Sequence, residues 1–530
     1  MDGVRLITSA AYLGQELSAE FGTVPPAFLP VGVARLYEAQ IARLGTDLPI
    51  YLTIPESYMP QAYDLRQLAE LNVTLLRVPE GLTLGESLVY AINFIDMPAG
   101  PVQVLHGDTL IEDMPDGAGD MIAVHEEGDD YSWAAVTIEA GRVTALENIA
   151  GGSGQDHSRP VACGFFSFSS SSVLVRAITR ARGDFVEGLD LYTRERPLRA
   201  APVETWYDFG HIQTYFRSRR AITTARSFNT LHIDAFTVRK SSADSAKMRA
   251  EAEWFGRIPP SVLPFSARLL EAGEEAGLAF YKTEYQYAPT LSELFVFSSV
   301  GRATWSNILR SCHDFLEACT ACKGGGSGDA ILAELAVGKT GARLARYGKE
   351  TGFDIDRPTR LDGRPLPSLR RIAEEVSEAI DLRSGRPGNV MHGDFCFSNI
   401  LYNSRSARIS VIDPRGYTEA GERTIFGDTR YDLAKLSHSI YGHYDHIVAG
   451  RYVLERPDSH AFSISFESSA HHGWLQDALS EFNVDGLQAG GRTVRAITVG
   501  LFLSMLPLHA DRPDRQAAFI ANALRLYSEL

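Results

Sequence analysis

Through roughly the first 220 residues, short apolar runs alternate with stretches whose apolar residues recur at i, i+3 and i+4. VRLITSA, PIYLTI, VTLLRV, PVQVLHGD and MIAVHEE have the length and composition of strands. RLYEAQIARL, AYDLRQLAEL and GESLVYAINFI carry helical spacing between them. Strands alternating with helices predict an α/β domain with a mostly parallel sheet covered on both faces. Ligands in such sheets sit at the carboxyl ends of strands, and Asp108 in VLHGDTLI falls just beyond one.

From about residue 226 the pattern changes. LHIDAFTVRKSS reads as a strand pair, SAKMRAEAEWFGRIP as a helix stopped by Pro259, and GLAFYKTEYQY as another strand. After about residue 290 the chain is mostly helical, with short strands expected at VMHGD, NILYN and ISVIDP. The glycines of KGGGSGD predict a flexible loop inside that body. ITVGLFLSMLPL, broken by Pro507, is too short to span a bilayer and reads as a buried helix. At 530 residues the chain exceeds one ordinary core, and the change of pattern places one domain at 1–222 and a second at 226–530. The second divides into a small lobe over about 226–290 and a large lobe over about 291–530, an α+β outline.

A formal charge of −15 argues against a general nucleic-acid or membrane-surface binder, though it leaves room for a local phosphate pocket. Five cysteines in so long a chain make no disulfide framework. With an early acid and no apolar leader in MDGVRLITSAAYLG, they predict a cytoplasmic protein without membrane insertion. Cys319 and Cys322 form a C-x-x-C without a second pair, and read as small residues on one helix face.

In VMHGDFCFSNIL, Asp394 stands five positions before Asn399, and VIDPRG adds Asp413 at the end of the next apolar run. Phosphoryl transfer needs one carboxylate to orient or deprotonate the attacking hydroxyl, and two oxygen ligands to hold magnesium against the nucleotide phosphates. These three residues supply that set. AVGKTGARL is no phosphate-binding P-loop, since its upstream glycine position is Ala333, and Lys339 reads as structural or substrate-facing. His438, His443 and His446 do not share one helix face, which argues against a metal site.

On HGDFCFSNIL, VIDPRG and GDTRYDLAKLSHS, residues 226–530 resemble the aminoglycoside phosphotransferase and choline kinase superfamily, whose fold is protein-kinase-like. The resemblance implies Asp394 as catalytic base and Asn399 and Asp413 as Mg2+ ligands, with ATP as phosphate donor. It also implies a small-lobe lysine paired with a helix glutamate. Lys240 in FTVRKSS fits the lysine; Glu251 is the chosen partner and Glu253 the competitor. The segment holding adenine through backbone groups is expected at Glu284, Tyr285 and Gln286. Asp428 and Asp432 are expected to brace the catalytic loop. Tyr441, Tyr444 and Asp445 are acceptor-pocket candidates that would suit a cation such as an amino alcohol.

The segments VPPAFLPVGVARLYEAQIARL, LTLGESLVYAI, VLHGDTLI, ACGFFSFSS and ETWYDFGHIQTYFRS occur in the order found in sugar-phosphate and choline-phosphate nucleotidyltransferases. This second resemblance, over roughly residues 4–220, implies a GT-A-like fold and a metal held by Asp108 and Asp208. It also makes Gly85 and Ser87 nucleobase contacts, for CTP or another nucleoside triphosphate. The family's glycine-rich signature loop carries an arginine and a following Pro-Lys. Here the loop reads SAAYLGQELSAEFGTVPPAFLPV: the arginine is absent, one glycine position is lost and the lysine position is Pro26. Arg5 and Arg35 are the cations that could compensate.

Together the resemblances imply a bifunctional enzyme. A kinase would phosphorylate a hydroxyl of an amino alcohol, polyol or sugar, and a nucleotidyltransferase-like domain would activate the product, a chemistry that feeds capsule and envelope polysaccharides. An inactive first domain that binds a ligand or scaffolds the kinase, and a glycosyltransferase-like first domain, stay open. The partners expected are nucleotides and a small-molecule substrate; a homo-oligomer is left open.

Overall fold

The structure is a computed structural model that describes residues 3–95, 100–126, 134–148, 160–222, 229–467 and 472–530. The chain divides into two compact units, Met1–Ile222 with Phe297–Ser299, and Thr223–Val296 with Val300–Leu530. The predicted boundary at 222–226 runs into residues 223–228, outside the described residues.

A nine-stranded sheet organises the first unit. Val73–Val78, Ile50–Pro55, Val4–Thr8 and Val102–His106 run parallel in that spatial order, joined by the helices Leu36–Leu44, Ala62–Glu70 and Leu84–Phe94. Beyond Val102–His106 the sheet turns mixed. Val161–Phe168 pairs antiparallel with Val102–His106 and with Met121–His125, and Ala134–Glu139 with Arg142–Asn148. The sheet is therefore less parallel than the alternation of elements predicts. Apolar pattern identifies a strand but not its direction, and here the chain returns through hairpins where a helical crossover is absent. Leu6, Val104, Ile122 and Phe166 fill one core with Leu88 and Ile178 from flanking helices.

In the second unit, Asn229–Ile233, Thr237–Ser242, Leu278–Glu284 and Leu269–Glu275 form a four-stranded antiparallel sheet in that spatial order. The helix Ser245–Arg257 packs on it, with Met248, Glu251, Trp254 and Phe255 buried on one face and Asp244 capping its start. The rest is largely helical. Arg492–Ser504 is a helix buried from Ala496 to Ser504, as its apolar run predicts, because neighbours cover it on every side.

The KGGGSGD stretch departs from expectation. Lys323–Ser327 is a strand paired with Pro387–Val390, and Ser327 caps the helix Gly328–Leu332. The glycines serve close approach here. A Cβ at Gly388 would lie 2.4 Å from the Gly324 carbonyl oxygen, and one at Gly324 would meet the Phe426 ring at 2.6 Å. AVGKTGARL is helical throughout: a π-helical turn over Ala333–Gly338 leads into the helix Lys339–Thr351.

Candidate active sites

In the second unit, strand register delivers the lysine. Lys240 faces Leu231 on one side and Tyr281 on the other within the small sheet. Its ammonium lies 2.8 Å from Glu251 Oε2 and 2.9 Å from Asp413 Oδ1. Glu251 is therefore the partner. Glu253 turns outward to Arg257 and Arg423, at 2.6 and 2.8 Å. The Tyr281 hydroxyl adds a third contact, 2.9 Å from Glu251 Oε2 and 3.3 Å from Asp413 Oδ1. Burial works against both ions, yet Asp413 and Glu251 together hold the Lys240 ammonium above its usual range. The Glu251 carboxyl is raised by that burial, with Lys240 opposing. This cluster joins two strands, one helix and the segment just beyond the strand Arg408–Val411 at one point.

The Asp394 loop is held by other groups. Both oxygens of buried Asp432 accept backbone N–H bonds, from His392 and from Gly393, each at 2.8 Å. His392 is fully buried, with Nε2 2.9 Å from the Ile412 carbonyl, which ties the loop to the strand that carries Asp413. Trp254 Nε1 donates to the Met391 carbonyl at 2.7 Å. Asp428 caps the helix Thr429–Ile440 and pairs with Arg430, which also reaches Asp329 at 2.6 Å. Asp432 thus acts on the loop directly and Asp428 through the start of its helix.

Asn399 Nδ2 donates to Asp394 Oδ2 at 2.8 Å and to the Asp394 carbonyl at 3.0 Å. Its amide oxygen is thereby turned away from Asp394. The Asn399 carbonyl accepts from Ile412 N–H at 3.0 Å, so the amide and Asp413 belong to neighbouring backbone. Asp413 adopts a left-handed conformation, φ 55°, which turns its side chain off the strand end. An amide oxygen and a carboxylate fit a hard divalent cation such as Mg2+. Bound there, it would neutralise charge on the nucleotide phosphates.

One residue was not foreseen. Lys435 Nζ lies 2.8 Å from Asp394 Oδ1, and its side chain is 12% exposed. Partial burial raises the Asp394 carboxyl, but the Lys435 charge and hydrogen bond outweigh it and hold that carboxyl below the usual range. Helical spacing could have found it, since Lys435 is three positions after Asp432 and so faces the same loop.

The expected adenine segment is partly committed. Glu284 N–H donates to the Arg268 carbonyl at 3.0 Å and Tyr285 N–H to the Phe236 carbonyl at 2.7 Å. Gln286 Nε2 donates to Glu284 Oε1 at 2.8 Å. Tyr441 donates to the Gln476 carbonyl, Tyr444 stacks on His438, and Asp445 is buried; His438 also packs on Phe502, and His443 and His446 on Phe295.

In the first unit, Asp108 and Asp208 come together. Gly107 N–H donates to the Thr8 carbonyl at 2.8 Å, where a Cβ would lie 2.7 Å from that oxygen, so the glycine lets the chain turn tightly past Val4–Thr8. Thr109–Ile111 then pairs with Trp206–Asp208, placing Asp208 opposite Thr109. A Cβ at Gly210 would lie 2.8 Å from Asp108 Oδ2 and 3.2 Å from Asp208 Oδ1, so glycine is what leaves both carboxylates room at one spot. Burial first, and then the charge of Asp108, push the Asp208 carboxyl up to about 6, while burial raises Asp108. Asp208 Oδ2 is buried without a hydrogen-bond partner. Two crowded carboxylates, one with an orphaned oxygen, fit a divalent cation, which would offset charge on a nucleotide's phosphates.

Gly85 and Ser87 lie on the helix Leu84–Phe94, whose start is capped by Thr83. A Cβ at Gly85 would lie 2.4 Å from the Gly183 carbonyl oxygen, and Ser87 is buried, so packing alone explains the glycine. Neither candidate cation is at liberty. Arg5 pairs with Asp47 at 2.5 Å and Gln103 at 2.9 Å, and fully buried Arg35 pairs with Asp64 at 3.3 Å and the Phe28 carbonyl at 2.6 Å.

Neither a protein-family model nor a curated protein sequence matches the chain. Its solved structural neighbours include nucleotidyltransferases and an aminoglycoside phosphotransferase. UTP-bound UGPase from Acinetobacter baumannii is 15% identical at TM-score 0.33, covering 41% of this chain and 92% of that one. HddC from Yersinia pseudotuberculosis is 16% identical at TM-score 0.32, covering 42% of this chain and 100% of that one. A thermostable mutant of aminoglycoside phosphotransferase APH(4)-Ia, in ternary complex with AMP-PNP and hygromycin B, is 15% identical at TM-score 0.36, covering 58% and 92%. These are similarities at low identity; the chemistry rests on the residues described above.

Proposed function

We propose that the second unit is an ATP- and magnesium-dependent kinase acting on a hydroxyl of a small molecule. The observation that carries this reading is the shared cluster of Lys240, Glu251 and Asp413, beside a loop where Asn399 and Lys435 both bind Asp394. Lys240 would hold nucleotide phosphates, Asn399 and Asp413 would hold the metal, and Asp394 would orient the acceptor hydroxyl and take its proton. The test is ADP formation from ATP with a panel of polyols, sugars and amino alcohols. Loss of acceptor-dependent ADP in Asp394→Ala is expected; full retention would refute the assignment.

The first unit, on this reading, is a metal-dependent nucleotidyltransferase-like domain. The product of the kinase is a phosphomonoester, the substrate class of nucleotidyl transfer, and the pairing suits supply of activated precursors for capsule or envelope polysaccharide. A second reading, an inactive ligand-binding domain, is favoured by one observation: Arg5 and Arg35 are committed to internal partners, and the signature loop has no cation of its own. Pyrophosphate release decides between them. Release with CTP or another nucleoside triphosphate plus the phosphorylated product, lost in Asp108→Ala, supports the first; none with any nucleotide supports the second.

A further inference from the structure

Resting on the kinase reading of the second unit, we propose that its acceptor is an alcohol carrying an anionic group, phosphate or carboxylate, held by Lys339, Arg343 and Arg415. Lys339 and Arg343 lie one turn apart on the helix Lys339–Thr351, and Arg415 stands two positions after Asp413. Lys339 Nζ is 2.8 Å from Glu419 Oε1, and the Arg415 guanidinium pairs with the same oxygen. Glu334 accepts from the Glu419 N–H. Arg415 Nε also donates to the Tyr417 carbonyl at 2.9 Å and Arg343 to the Ser504 carbonyl at 3.3 Å, and the Lys339 side chain is only 8% exposed. Burial first, then the charges of Arg415 and Arg343, push the Lys339 ammonium down to about 7 against the pull of Glu419. A further negative charge would relieve that crowding.

The cluster adjoins the transfer site. Arg415 N–H donates to the His392 carbonyl at 2.8 Å, and a Cβ on Gly393 would lie 2.6 Å from Arg415 Cβ. Gly393 immediately precedes Asp394 in the chain. An acceptor with its anion on the three cations would have its hydroxyl toward Asp394. Glu419, 31% exposed and flanked by left-handed Gly416 and Gly421, stands where that anion would go and is the group it displaces. The acid expected to receive a cationic acceptor, Asp445, is 2% exposed, and burial pushes it up to about 6.

The test measures Mg-ATP-dependent ADP formation by the full chain with matched acceptors. These are glucose, glucose 6-phosphate, gluconate and glucosamine, then glycerol, glycerol 3-phosphate and choline. At least one anionic member is expected to exceed its neutral and cationic counterparts at least tenfold in kcat/KM; gluconate against glucose 6-phosphate separates carboxylate from phosphate. Lys339→Met should raise the KM for that acceptor at least tenfold with KM for ATP unchanged. Glu419→Gln, which removes the competing charge, should lower it severalfold. No stimulation by any anionic member, preference for a neutral or cationic one, or an unchanged acceptor KM in both variants overturns the proposal. Asp394-dependent choline phosphorylation that matches or exceeds the best anionic acceptor would overturn it while leaving the kinase reading intact; absence of Mg-ATP binding would sink both.

Discussion

Lys435 Nζ sits 2.8 Å from Asp394 Oδ1, so the expected base is ion-paired to a helix that lies outside its own loop. Lys435→Met should lower kcat, by less than the roughly 10²–10⁴-fold that a whole acid–base group contributes, while the KM for ATP holds. Lys435 keeps the Asp394 carboxyl below its usual range. Its removal should therefore move the acidic limb of the kcat–pH profile to higher pH. An unmoved limb would assign Lys435 a structural role only.

Glu251 and Glu253 are two positions apart on one helix but differ in what they touch. Glu251→Gln breaks a buried contact to Lys240 and should cut kcat/KM for ATP by at least tenfold. Glu253→Gln loses only partly exposed pairs with Arg257 and Arg423 and should change stability by under about 1 kcal/mol. Parallel kinetics and denaturant titration of the two variants check the contrast.

These two predictions mark what the chain reveals before folding. That Asp394, Asn399 and Asp413 lie close together is legible because the loop and its following strand are contiguous, and so is the place of Lys240 on a strand just before a helix. Choosing Glu251 over Glu253 requires knowing which helix face meets the sheet, whereas Lys435 could be reached only through Asp432, one helical turn before it and expected at the same loop. The strand at Lys323–Ser327 was hidden because its glycines resemble a linker, although their role is close approach to Gly388 and Phe426. Likewise the pattern located the strands of the first sheet and could not orient them.

Asp432 accepts N–H bonds from both His392 and Gly393. Asp432→Ala strands two buried donors, at about 1–3 kcal/mol each, and should destabilise the second unit by several kcal/mol in urea unfolding. A loss below about 1 kcal/mol would mean the loop is held by other contacts.

Asp208 has a folded-state value of about 6, above the 3.8 of an ordinary aspartate, so holding it ionised opposes folding. That penalty is absent below pH 4, grows between pH 4 and 6, and is complete above 6. At pH 7.5 without metal, Asp208→Asn should be more stable than wild type, by up to about 3 kcal/mol. Added Mg2+ should stabilise wild type at pH 7.5 and progressively less as pH falls through 6, but should not stabilise Asp208→Asn in this way. Thermal unfolding across pH with and without Mg2+ reads both effects; a pH-independent Mg2+ shift would contradict the shared site.

The proposed phosphoryl transfer from ATP turns on Asp394. The direct measurement pairs Mg-ATP binding with acceptor-dependent ADP formation in wild type and Asp394→Asn. The account predicts that the variant binds Mg-ATP within about threefold of wild type and loses roughly 10²–10⁴-fold in turnover. Turnover within tenfold of wild type, at equal binding, would contradict it.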